Sequence, residues 1–361
     1  MPENAKSPTT FEGPVCPVPL HHAEQIVMGH GSGGKMTNEL IRRVFYPHLQ
    51  SEALAAGNDF AGLKLPAEAM LNGTLSVSTD SHIVTPLFFP GGDIGSLAVC
   101  GTINDVSMAG ALPLYLTAGF ILEEGLPVET LERVVASMAA AAAEAGVQFV
   151  AGDTKVAEKG KVDGLYITTT GVGWTPAGRS IGGALAQPGD VVLISGTMGD
   201  HGIAVLGARG DLGFETGVQS DIAPLNGLIA DVLAAAPDVH VLRDPTRGGL
   251  ATTLNEIALQ SDAAIVINEK AVPVLPPVQA ACEMLGFDPL YVANEGKVIV
   301  IVPEAQAQAA LDAMRAHPYG KSAARIGLVQ AAPARRVLMK TLIGGTRILD
   351  VLAGEMLPRI C

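Results

Sequence analysis

Apolar and polar positions along the chain follow two periods in turn. Leu40, Ile41, Val44 and Phe45 fall on one face at helical spacing, predicting a helix from about Asn38 that stops near Pro47. A short strand at 25–28 and a glycine loop at 29–34 precede it. Residues 75–79 alternate in strand fashion and end on Asp80. Residues 95–108 are apolar and rich in small side chains, which predicts a helix; 115–122 reads as a strand. Residues 128–146 form a long Ala-rich helix with Gly146 at its C-cap. A buried strand opens at 148–150 and runs into Gly152-Asp153; another covers 166–172. Pro176, Gly178, Gly182, Gly183 and Pro188 mark a boundary between Trp174 and Gly189. Beyond it lie strands at 190–195, 264–268 and 298–302, with helices at 202–206, 222–235 and 249–261. Mixed strands and helices give an α/β (α+β) chain.

Composition narrows the function. The 361 residues carry 23 Lys+Arg against 36 Asp+Glu, a net charge of −13, which argues against a nucleic-acid surface. The 48% hydrophobic content excludes a disordered chain. The polar start predicts no secretory signal, and no apolar run is long enough for a membrane helix, so a cytoplasmic protein is expected. Cys16, Cys100, Cys282 and Cys361 show neither zinc nor disulfide spacing and read as reduced thiols.

Several motifs carry candidate chemistry. Gly29-x-x-x-x-Gly34-Lys35 matches most of a P-loop, but Met36 stands where a Mg²⁺-holding Ser/Thr is needed and Thr37 comes one residue late. A simple turn and a phosphate contact both remain open. Asp80, Asp105 and Asp153 each sit beside Gly, Asn or Thr, which favours metal–phosphate binding over plain capping. Arg243-Asp-Pro-Thr-Arg-Gly-Gly249 opens a helix with two glycines, giving either an anion site or an Asp-Pro turn. Asn294-Glu295-Gly-Lys297 alone is a turn, and His82 and His240 read as surface or core residues. The chain ends on a thiol in a Pro-containing tail; eight residues counted from Gly354 reach at most ~26 Å.

The ordered combination is more specific than its parts. Met28-Gly-His-Gly-Ser-Gly-Gly-Lys35, Ser78-Thr-Asp-Ser-His82, Pro90-Gly-Gly-Asp-Ile-Gly95, Gly101-Thr-Ile-Asn-Asp-Val106, Gly152-Asp-Thr-Lys-Val156, Asp244-Pro-Thr-Arg-Gly-Gly249 and terminal Pro358-Arg-Ile-Cys361 follow one another. This order resembles the HypE family of hydrogenase maturation factors, within the superfamily of aminoimidazole ribonucleotide synthetase and selenophosphate synthetase. The resemblance runs from about Ile26 to Cys361. Residues 1–24, with Pro14, Pro17 and Pro19 and few apolar neighbours, read as a flexible arm outside it; the resemblance implies an ATP-binding and dimerisation domain at 25–176, a second α/β domain at 188–345, and a mobile tail at 346–361. It implies a homodimer whose N-terminal domains pair into a β-barrel. It further implies ATP near Gly31, Gly33, Gly34, Lys35, Asn104, Thr154, Thr246, Arg247, Gly248 and Gly249. Asp80, Asp105 and Asp153 would hold Mg²⁺, and Cys361, Lys155 and Glu295 would be catalytic. The implied reaction dehydrates a carbamoyl group on Cys361, placed there by a HypF-like carbamoyltransferase, to a thiocyanate destined for a HypC–HypD complex. The alternatives are a sibling ATP-dependent synthetase of selenophosphate or ribonucleotide type, and a non-catalytic nucleotide-binding scaffold.

Overall fold

The computed structural model describes residues 24–55, 61–210, 217–351 and 360. Cys16, most of the N-terminal arm and Cys361 lie outside the described residues. The described residues form two large sheets and a two-stranded one that pairs Phe88–Phe89 with Gly92–Asp93. The first holds β1 (Thr74–His82), β2 (Leu112–Glu123), β3 (Gln148–Ala157) and β4 (Leu165–Thr175) in the order β1-β4-β2-β3. Only the β2–β3 pair is parallel. A glycine loop leads into the short α1 (Lys35–Leu40) before it. Helices α2 (Ile94–Met108) and α3 (Val128–Ala145) cover one face. The other face presents Leu75, Val77, Leu112 and Ile121 to solvent. Gly146, with φ of 70°, ends α3 as the sequence predicts.

The second sheet joins β5 (Val191–Ile194), β6 (Val241–Arg243), β7 (Ala264–Asn268), β8 (Ile299–Val302), β9 (Ala324–Gln330), β10 (Arg336–Lys340) and β11 (Thr346–Leu349) in the order β11-β10-β7-β9-β5-β8-β6. Its central strands are apolar on both faces because both are covered. Val191 and Leu193 face α5 (Asn226–Ala235) and a C-terminal helix, Glu304–Ala316. Val192 and Ile194 face α6 (Gly249–Ser261). Between these, α4 (Asp200–Ala208) carries Ile203, Ala204 and Val205 into the core of the first sheet's half. The two halves therefore share one seam of apolar packing. Cys100 and Cys282 are buried free thiols.

Some boundaries differ from the expected ones. The strand expected at 25–28 is a single bridge, Gln25 to Pro127, followed by a 3₁₀ turn at Met28–Gly31. The helix expected at 222–235 begins at Asn226, because residues 221–225 bond instead to Asn104 and to the loop that carries Glu295. The expected strand at 75–80 runs on to His82. Among the described residues, no helix is long and apolar enough to cross a membrane.

Candidate active site

Strand periodicity turns Ser78, Asp80 and His82 toward α2, which presents Gly101, Asn104 and Asp105 to them. Ser78 Oγ donates to Asp105 Oδ2 at 2.9 Å, and His82 Nε2 lies 3.3 Å from Asp80 Oδ2. A Cβ placed on Gly101 would sit 3.1 Å from His82 Nε2, 3.8 Å from Asp80 Oδ2 and 3.9 Å from Glu295 Oε2. The missing side chain thus keeps open the one point where these three groups converge. Glu295 enters from the loop before β8. Its N–H donates to Asp221 Oδ1 at 3.1 Å, and its carbonyl accepts from Asn104 Nδ2 at 3.3 Å. Glu295 Oε1 and His82 Nδ1 are buried with no hydrogen-bond partner, and His82 Nε2 has only its 3.3 Å approach to Asp80. Buried polar atoms are normally paired, so atoms left unpaired around an open point fit a seat for a reacting group.

The electrostatics single out the same residues. Burial pushes the Glu295 carboxyl well above its ordinary pKa, and the charges of Asp244, Asp221, Asp80 and Asp105 push it further. Burial and then the Asp105 charge raise Asp244 to about 7. Asp105 is raised by burial and by Asp80. Asp80 is the exception. Burial opposes its ionisation, but the His82 ring, the Ser81 N–H and Arg247 outweigh it and hold its pKa low. Several hard oxygen donors that repel one another fit a divalent cation, which would relieve that repulsion.

A stability test follows. Asp244 titrates at 3.8 ordinarily and at about 7 in the folded chain. Between those values the folded state binds more protons than the unfolded state, so this group's contribution to stability falls as pH rises. Asp244→Asn removes the cost. Without added cation, we expect the variant to be more stable than wild type at pH 8 by about 1–3 kcal/mol, discounted for the partial solvent contact of Asp244, with the gain gone by about pH 4. A pH series of melting curves checks this, and a gain that does not vary with pH refutes it.

The glycine loop builds a second place. Gly31 packs so closely on β3 that a Cβ would meet Val156 N at 2.6 Å. Thr37 Oγ1 accepts from Gly33 N at 2.9 Å and donates to Gly29 O at 3.4 Å, so it closes the loop instead of waiting for a metal. Beneath lies a cavity of about 780 Å³ lined by Gly31, Gly33, Arg42, Tyr46, Thr154 and Lys155. Asp153 also lines it and pairs with Lys155 at 2.8 Å, and this cation lowers its pKa.

Within one protomer the expected Mg²⁺ trio is not one group. Asp80 and Asp105 meet at α2, whereas Asp153 lies on the opposite edge strand, three strands or roughly 14 Å away. Lys155 stays with Asp153 in the cleft, whereas Glu295 faces Gly101. Among the described residues, no three His, Cys, Asp or Glu side chains already surround one metal point. Asn104, expected at the nucleotide, is buried. Its Nδ2 donates to Ala223 O and Glu295 O, and its Oδ1 accepts from Leu225 N. It positions the Glu295 loop.

In the 243–249 loop, Gly248 and Gly249 take φ of 74° and 60°. A Cβ on Gly249 would strike Leu290 O at 2.6 Å. The Gly249 N–H, expected for an anion, donates to Thr246 O at 2.9 Å. Arg247 is exposed and its charge reaches Asp80. Asn294 Nδ2 ties the loop through Pro245 O at 2.9 Å. Sequence reasoning missed Asp244, masked as half of an Asp-Pro turn, and His82, read as an ordinary core or surface histidine. It also missed the cation of this region. Lys297 Nζ lies 3.1 Å from Asp221 Oδ2 and 3.8 Å from Asp200 Oδ2, with all three side chains nearly buried.

Comparison with known proteins accords with this geometry. Residues 61–175 match the N-terminal domain of AIR synthase related proteins, and 187–340 match the C-terminal domain. Carbamoyl dehydratase HypE of Cupriavidus necator is 58% identical over 337 residues, covering 93% of this chain and 95% of that protein. A crystal structure of hydrogenase maturation protein HypE in complex with ATP superposes with a TM-score of 0.88 at 52% identity, covering 93% of this chain and 99% of that one. A chain of a HypE–HypF complex gives 0.75 at 49% identity, covering 88% and 100%. Both domains in order, a shared fold and more than half of the residues in common over nearly the whole length establish that this chain belongs to the HypE family of carbamoyl dehydratases.

Proposed function

We propose that the chain dehydrates a carbamoyl group on the sulfur of its own Cys361 to a thiocyanate, consuming ATP, as a step of [NiFe]-hydrogenase maturation. The observation that carries this reading is the buried Glu295 carboxyl, its Oε2 facing Gly101 beside Asp80 and His82 and its Oε1 left without a partner. Ile360, bonded to Cys361, is docked in the core against Val84.

An amide oxygen is a poor leaving group. Attack of the carbamoyl oxygen on the γ-phosphorus expels ADP and makes that oxygen part of a phosphate ester. One N–H proton is lost as the C=N bond forms. The second is lost as the C–O bond breaks, phosphate departs and C≡N remains. Positioning and charge neutralisation dominate phosphoryl transfer, and the proton removals need a base. Glu295 is that base. Asp80, Asp105 and Asp244 would hold Mg²⁺, which would offset the phosphate charge. The glycine-loop residues Gly31, Gly33, Gly34 and Lys35, with Asp153, Thr154 and Lys155, would form the nucleotide cleft. Thr246, Arg247, Gly248 and Gly249 would flank the phosphates.

Cleft and carboxylates lie on opposite edges of one sheet whose free face exposes Leu75, Val77, Leu112 and Ile121. We read that face as the pairing surface of a homodimer, closing into a barrel and bringing one protomer's cleft toward the other's carboxylates. The domain division at 25–176 and 188–345, with the substrate arm at 346–361, belongs to the same reading. The partners are a HypF-like carbamoyl donor and a HypC–HypD acceptor. In the test, full-length protein is loaded by a carbamoyl donor, then mixed with MgATP and followed by mass spectrometry. The terminal peptide should gain a carbamoyl group and then lose one water. An adduct that forms but keeps its water under MgATP sinks the proposal.

A further inference from the structure

Ile360 is the penultimate residue, yet only 6% of its surface is exposed. It forms an antiparallel bridge with Val84 and joins the apolar core at the seam between the halves. Its carbonyl oxygen lies 2.6 Å from Nε2 of His201, on the first turn of α4. His201 is fully buried, with the Phe89 ring edge-on at 5.6 Å.

With the ring neutral, the surroundings allow one proton arrangement. A carbonyl oxygen only accepts, so the hydrogen is on Nε2. In a neutral imidazole Nδ1 is then an acceptor. Ser220 Oγ, 2.8 Å from Nδ1, must donate to it. The same Oγ accepts from Ile222 N at 3.3 Å. Each donor and acceptor is used once, and burial, which lowers the pKa of His201, agrees with the neutral ring. The next residue, Asp221, accepts the N–H of Glu295 at 3.1 Å. One two-residue segment, Ser220-Asp221, thus holds the anchor of the tail at one residue and the candidate base at the other. Ser220 is itself fixed by its N–H to Pro90 O at 2.8 Å, where a Cβ on Gly91 would meet Ser220 N at 2.6 Å.

We propose that His201 is a positioning residue for the carrier tail, its Nε2–H holding the Ile360 carbonyl and so setting the terminal cysteine in register with Glu295. This rests on the reading of Cys361 as carrier.

The experiment uses full-length His201→Phe, His201→Asn and His201→Gln. The Asn amide nitrogen matches the Nδ1 position, the Gln amide nitrogen reaches the Nε2 position, and Phe keeps the ring without a donor. Two rates are measured: release of the C-terminal residues by a carboxypeptidase, and single-turnover dehydration of the preloaded carbamoyl group. Phe and Asn should speed release and slow dehydration by about tenfold or more, while Gln stays within about threefold of wild type. Carbamoyl loading should be unchanged in all three. Release and dehydration at wild-type rates in Phe and Asn overturn the proposal, as does a Gln variant as impaired as Phe. Nitrogen NMR of wild-type His201 gives an answer independent of variant folding: the Nε2–H tautomer supports the latch, and Nδ1–H or a charged ring at neutral pH overturns it. If the release pattern holds but even wild type never loses water, the anchor stands and the dehydratase reading falls.

Discussion

Glu295→Gln should leave carbamoyl loading of Cys361 intact and slow the loss of water by about 10²–10⁴-fold, the range for removing a positioned general base. Gln keeps the shape of Glu, and the backbone bonds to Asp221 and Asn104 do not involve the side chain. The loss would therefore report the missing base and not a collapsed loop. The environment sets the pH dependence. Burial and the charges of Asp244, Asp221, Asp80 and Asp105 keep a proton on the carboxyl to higher pH than usual. A group that must give up a proton before it can accept one makes the rate rise with pH, to a plateau above the ordinary carboxylate range. Rapid-quench mass spectrometry of preloaded protein gives both numbers. A Gln variant within threefold of wild type would remove Glu295 from the mechanism.

Lys297→Met should destabilise the fold by about 3–5 kcal/mol, because it leaves buried carboxylates without their cation. Lys297 stands between Asp221 and Asp200, at 3.1 and 3.8 Å. Met preserves most of the packing of the lysine stem against Gly196, where a Cβ would already sit 2.8 Å from Lys297 Cε. What remains for the acids is the Thr197 hydroxyl on Asp200 and the Glu295 N–H on Asp221. Burial already raises the Asp200 pKa, against the pull of Thr197 and Lys297, so losing the cation should raise it further. The deficit should therefore shrink as pH falls and Asp200 takes up a proton. Denaturant melts at two pH values measure it. A loss below about 1 kcal/mol, or one insensitive to pH, would mean that the pair is solvated and weak.

Parts of this arrangement are legible in the sequence for local reasons. Val191–Ile194 and Ile299–Val302 read as strands because they are continuous apolar runs, which a sheet covered on both faces demands. Asp80 and Asp105 are legible as candidates because each sits among small residues. Their meeting across α2 is tertiary, and only the order of motifs hinted at it. Asp244 was hidden because Asp-Pro has a cheaper local explanation. Asp153 stands apart from Asp80 and Asp105 within one protomer, because its neighbours in sequence say nothing about which edge of a sheet its strand occupies. The strands Ala324–Gln330, Arg336–Lys340 and Thr346–Leu349 carry too many polar residues to show a clean period, and their partners fix them instead. The Lys297 triad joins residues nearly a hundred positions apart and had no local signal.

The two buried thiols acquire a meaning of their own. Burial and nearby carboxylates, chiefly Glu144, raise the Cys100 pKa far above the usual thiol value, and burial lifts Cys282 to about 11. A sulfur that cannot shed its proton is a poor nucleophile. Cys100 precedes Gly101 on α2, yet its side chain is only 2% exposed and packs in the apolar core, so it offers the carbamoyl group no second landing site. Its protonation acts as a chemical protecting group, keeping the acyl label on the tail for as long as the interior stays closed.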